Sequence, residues 1–116
     1  MPLRILEKTN YIYIAYNRKS FRDFLELKRT VEEILQKIGE YRNIVIDFTI
    51  SPPLTEWEAS LISNIGNRFK ETRRFLKIVA DESKKVQIES TIISKSDNIS
   101  FHTDPLSLFR DAVQPE

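Results

Sequence analysis

The chain has 116 residues, 41% of them apolar and 30% charged, which points to one globular domain spanning 1–116 and sets the composition apart from disordered chains. Eighteen basic residues against seventeen acidic leave a net charge of +1, so no global field argues for nucleic acid, a membrane surface or an acidic substrate. Cysteine is absent, which excludes disulfides, thiolate nucleophiles and zinc sites built on cysteine ligands.

Leu3 and Ile5, then Tyr11 to Tyr16, are short aromatic and β-branched stretches separated by Lys8, Thr9 and Asn10. They predict a β-hairpin with its turn near Asn10. Ser20 then precedes Phe21, Phe24, Leu27, Val31, Ile34, Leu35 and Ile38, whose three- and four-residue steps describe one face of a helix. Ser20 with Asp23 supplies a start signal and Gly39 a stop. Ile44 to Phe48 is an almost unbroken apolar run, too short for a helix and suited to a central strand covered on both faces.

Ser51, Pro52 and Pro53 interrupt the pattern, since proline cannot donate to a ladder and restricts the residue before it. A second helix follows, with Trp57, Leu61, Ile62, Ile65 and Phe69 on one side. Thr55 and Glu58 fit a capping box at its start, each satisfying an amide that the first turn leaves open. Phe75 to Ala80 reads as another buried strand. Glu82 to Ile93 is a helix with a less regular apolar pattern, at Val86, Ile88, Ile92 and Ile93. Ile99 to His102 reads as a short strand, and Asp104-Pro105 opens a last helix that buries Leu106, Phe109, Ala112 and Val113. The predicted order is ββαβαβαβα, an α/β fold with a mixed sheet of about five strands and about four helices, parallel except for the opening hairpin.

Two isolated glycines, Gly39 and Gly66, cannot make a Gly-rich phosphate loop. The one histidine, His102, has no second imidazole for a metal pair and no Gly-x-Ser-x-Gly elbow to serve, so it reads as a structural strand histidine. Asp47, Glu56 and Glu58 could form an acid/base group. The helix-start pattern already accounts for them, with Asp47 capping the loop and the glutamates facing the positive end of the helix dipole. Arg68, Lys70, Arg73 and Arg74 gather where the second helix ends; they are either a solvated helix terminus or, with Asp47, contacts for a bound anion or small ligand. No catalytic residue, metal or cofactor is assigned.

No run of about 18 uncharged apolar residues occurs, so membrane insertion is not expected. With no leader pattern at the start, the expected location is the cytoplasm.

This order of elements resembles that of the STAS domain, the fold of bacterial anti-sigma-factor antagonists. Three local features carry the likeness. They are the strand ending Ile44-Val45-Ile46-Asp47-Phe48, the following loop that leads into a helix at Thr55, and the tail in which Asn98 to His102 runs into Asp104 to Val113. The resemblance spans Leu3 to Val113 and implies a non-catalytic interaction module in sigma-factor or related signalling, with an anti-sigma kinase-like or other signalling protein as partner. It also allows an alternative, a nucleotide- or lipid-binding domain of the same fold.

In the family the second helix opens on Asp-Ser-Ser/Thr-Gly, and a serine there is phosphorylated. Here the matching positions are Thr55, Glu56, Trp57 and Glu58. The usual acceptor is therefore missing, with Thr55 and Ser51 as the nearby hydroxyls. The resemblance places partner binding on Ser51, Thr55, Glu56, Trp57 and Glu58. Trp57 is open to two readings, an exposed interface anchor or a member of the buried stripe with Leu61 and Ile65.

Overall fold

The computed structural model describes residues 2–9, 11–37, 43–70, 74–91 and 98–103. Five strands and three helices occur among these residues: β1 (Leu3–Glu7), β2 (Tyr11–Tyr16), α1 (Phe21–Lys37), β3 (Asn43–Asp47), α2 (Glu56–Phe69), β4 (Leu76–Val79), α3 (Glu82–Thr91) and β5 (Ile99–His102). The helix expected from Asp104, the turn at Asn10, the stop at Gly39 and the apolar positions Ile38, Ile92 and Ile93 lie outside the described residues.

The strands form one sheet in the order β1-β2-β3-β4-β5. β1 and β2 are antiparallel, and β2 to β5 run parallel. With strands laid down consecutively, right-handed crossovers carry every connecting helix to the same side of the sheet. The core follows from that geometry. Register aligns Ile12, Ile44, Leu76 and Ile99 in one cross-strand row and Ile14, Ile46, Ile78 and Phe101 in the next. Phe24, Leu27 and Val31 of α1, Leu61, Ile62, Ile65 and Phe69 of α2, and Ile88 of α3 close over these rows in one cluster.

On the opposite face Val45 and Val79 are buried beside Tyr11 and Tyr13. Covering on both faces explains why β3 reads as an unbroken apolar run. α1 starts as its sequence predicts: the Asp23 carboxylate accepts the amides of Lys19 at 2.8 Å and Ser20 at 3.3 Å, satisfying donors that the first turn leaves open. Phe21 departs from expectation. It is 47% exposed and meets the ring of Trp57 rather than the sheet.

Candidate functional site

The second helix begins around a buried carboxylate. Glu58 is 0% exposed, and such a charge is tolerable inside a protein only when its oxygens are matched by donors. One oxygen, Oε1, accepts the Thr55 amide at 2.6 Å and the Thr55 hydroxyl at 2.9 Å, completing the glutamate half of the capping box. The other, Oε2, accepts the Tyr16 phenol at 2.6 Å and the Arg18 Nε at 2.7 Å. Burial, and then the hydrogen bond to Glu58, raise the Tyr16 phenol well above its ordinary range, so it remains a donor. Glu58 was expected at the docking face; in the structure its carboxylate is closed in by four donors.

The loop between β3 and α2, Phe48 to Thr55, is held from several sides. Asp47 caps its start: Oδ1 accepts the Thr49 amide at 2.8 Å and the Thr49 hydroxyl, while Oδ2 accepts the Tyr13 phenol. Burial and this contact with Asp47 raise the Tyr13 phenol as well. Arg18 donates from Nη2 to the Pro53 carbonyl at 2.7 Å. From α3, the Gln87 side chain donates to the Leu54 carbonyl and accepts the Leu54 amide. Lys84 donates to the Thr49 carbonyl at 3.3 Å and to Asp81 at 2.9 Å. The same lysine, with its backbone amide, holds the Asp81 carboxyl below its usual value.

Within this framework the side chains sort into two groups. Ser51, expected on the docking face and as a possible phosphosite, is 5% exposed and its hydroxyl donates to the Pro52 carbonyl. The Thr55 hydroxyl is engaged by Glu58. Ile50 projects at 65% exposure, and Pro52, Pro53 and Glu56 are also exposed. Trp57 is 44% exposed. It is not part of the stripe that buries Leu61 and Ile65; its ring lies 4.5 Å from Phe21 and 6.0 Å from Phe24, centroid to centroid.

Beside Trp57 the surfaces of α1 and α2 part into a groove of about 320 Å³, floored by Phe24 and Leu61 and rimmed by Lys28, Glu56, Ser60 and Asn64.

Among the described residues, Arg68 and Arg74 take separate contacts. Arg68 forks both oxygens of Glu32 at 3.0 and 3.1 Å. Arg74 lies over the Phe69 ring, 5.6 Å from its centroid, and Arg73 lies outside the described residues. Asp47 serves Tyr13 and Thr49. His102 is partly buried in β5 with Nε2 3.1 Å from the Ser100 hydroxyl, consistent with a structural role. No helix among the described residues is long and apolar enough to cross a membrane.

Sequence reasoning did not single out Arg18, Lys84 or Gln87, whose partners are more than thirty residues away in the chain. It also passed over Ile50, although an isoleucine just before a Ser-Pro-Pro break is a local sign of an exposed apolar tip.

No family model matches the chain, and no curated protein matches it in sequence. Among solved structures it is similar to a serine-to-glutamate variant of RsbS from Moorella thermoacetica, with a TM-score of 0.66 at 12% identity over 97% of each chain. A likeness of that extent at that identity establishes the fold, and the fold is STAS-like.

Proposed function

We propose that the chain is a single non-catalytic STAS-like interaction module of bacterial signalling, acting in sigma-factor regulation. It docks a protein partner through the clamped loop and the exposed start of α2. The observation that carries this reading is the contrast between a loop fixed by Arg18, Lys84, Gln87 and Glu58 and the side chains it presents. Ile50, Glu56 and Trp57 project from a scaffold with little freedom left to lose, which is what makes an apolar or aromatic side chain an effective anchor.

The docking set is therefore Ile50, Glu56 and Trp57, with Thr55 at its edge. Ser51 and Glu58 hold the surface in place from below.

The serine phosphoswitch is absent in this reading. Glu56 stands where the family resemblance places a serine, at the first position of α2. Its fixed carboxylate supplies at a helix start the charge that phosphorylation would add, where open amides favour it. The hydroxyls of Thr55 and Ser51 already donate to protein acceptors.

Affinity capture from native extract tests the docking face, with wild type and Ile50→Asp compared side by side. The reading expects one dominant signalling protein retained by wild type and lost from the variant, whose fold is checked by circular dichroism. Equal capture by both proteins would overturn it. Incubation of the purified chain with the captured protein and ATP, followed by mass spectrometry, is expected to leave Thr55 and Ser51 unlabelled; stoichiometric phosphate on either restores the switch.

A further inference from the structure

The groove between α1 and α2 points to a second use of the start of α2. α1 and α2 both connect parallel neighbouring strands and so run side by side in the same direction. Their contacts include Phe21 against Trp57 at the N-terminal end and Glu32 against Arg68 further along. The groove opens between these contacts. Its floor is apolar, with Phe24 and Leu61, and its rim carries one cation from α1, Lys28, and one anion from α2, Glu56. Three large apolar side chains border the same helix starts while remaining open to solvent: Phe21 at 47%, Leu25 at 46% and Trp57 at 44%. Leu25 follows Phe21 by four residues and shares its face. Scattered exposed apolar residues need no explanation, but an aromatic group beside an apolar groove marks a contact surface.

The charges on the rim select the occupant. Lys28 and Glu56 stand on opposite walls, are both exposed and have opposite sign. A two-fold axis passing midway between them, perpendicular to the line that joins them, would set Lys28 of one protomer against Glu56 of the other, and the reverse. Self-complementarity of this kind is what an isologous contact requires. We propose that the groove is a homotypic interface, and that a second copy of this chain is its occupant. The proposal rests on reading the start of α2 as a docking surface, and it adds a competitor for that surface: Glu56 and Trp57 are shared, whereas Ile50 and Pro52 do not line the groove. Self-association thus covers one side of the helix start and leaves the loop tip open.

Sedimentation velocity over a wide concentration range tests this. The wild-type chain is expected to pass from monomer to dimer, and added salt is expected to weaken the dimer because the paired charges are exposed at the rim. Lys28→Glu and Glu56→Lys each place like charges together and are expected to weaken association on the order of tenfold, while the double swap restores it. Trp57→Ala is expected to abolish it. Circular dichroism controls for folding, and both charged positions are at the surface.

A wild-type chain that stays monomeric at the highest concentration overturns the proposal, as does a dimer equally strong in Lys28→Glu, Glu56→Lys and their double swap. Ile50→Asp separates the two readings. It is expected to lose the captured partner and keep the dimer; Lys28→Glu is expected to do the opposite.

Discussion

The two sides of the start of α2 are built from different materials. Toward the β3–α2 loop the structure is polar and interlocked: one buried carboxylate, Glu58, gathers Tyr16, Arg18 and the cap residue Thr55, while Gln87 and Lys84 bind loop backbone. Toward α1 it is apolar and open, three aromatic rings leaning on one another at the edge of a groove. Hydrogen bonds to fixed partners define a single geometry, and losing one leaves a desolvated group stranded. Ring contacts tolerate shifts in angle at small cost. The polar side therefore supplies shape and the aromatic side supplies contact area, and substitutions should separate the two.

The largest effect is expected from Glu58→Ala, which strands Arg18 and Tyr16 and should lower the unfolding free energy in urea by about 3–5 kcal/mol. A loss under about 1 kcal/mol would mean that the carboxylate does not organise this side. Tyr16→Phe follows, at about 1.5–3 kcal/mol for a hydrogen bond to a charged acceptor.

Tyr16 also sets a pH dependence. Its folded phenol titrates above the unfolded one, so its contribution is complete below about pH 10 and is lost as the pH rises beyond that, when the unfolded chain releases the proton and the folded chain holds it. Urea melts at rising alkaline pH should show wild type losing stability more steeply than Tyr16→Phe.

Trp57→Ala is expected to cost about 1–2 kcal/mol, since the ring is half exposed and its aromatic contacts are the main loss. The far-ultraviolet spectrum should be unchanged. A cost comparable to that of Glu58→Ala would show that the aromatic side is structural after all. Gln87→Ala should cost about 0.5–1.5 kcal/mol, and its clearer signature is faster hydrogen exchange at the Leu54 amide. The smallest effect belongs to Arg68→Ala, at most about 1 kcal/mol, because its partner Glu32 is as exposed as the arginine itself.

The same division decides what could be read from the sequence. Helices and strands followed from local periodicity: the row-forming isoleucines of β2 and β3, the 3–4 spacing of Phe24, Leu27 and Val31, and the Thr55–Glu58 box all act within a few residues. Glu58 itself could be recognised as a cap. Its burial could not, because that depends on Tyr16 and Arg18 some forty residues earlier, brought close only once β2 and β3 pair.

Trp57 was open to two readings from the sequence. Spacing of four from Leu61 places it near the buried stripe, but the ring lies against Phe21 and Phe24 and stays 44% exposed. Val86 and Ile88 show the limit in a third way. They are two apart in a helix, one 57% exposed and the other buried, and the irregular pattern of α3 reflects how few of its positions face the core.

The consecutive strand order carries a consequence for how the chain is made. A polypeptide leaves the ribosome N-terminus first, and here every strand after the first pairs with the one synthesised just before it. The β1–β2 hairpin can close while the rest is still being translated, and each helix–strand unit then finds its template already exposed. Among the described strands, none after β1 has to wait for a neighbour encoded further downstream before it can pair. Short waits limit the time that an unpaired strand edge stays open to other chains, the usual hazard of parallel sheets.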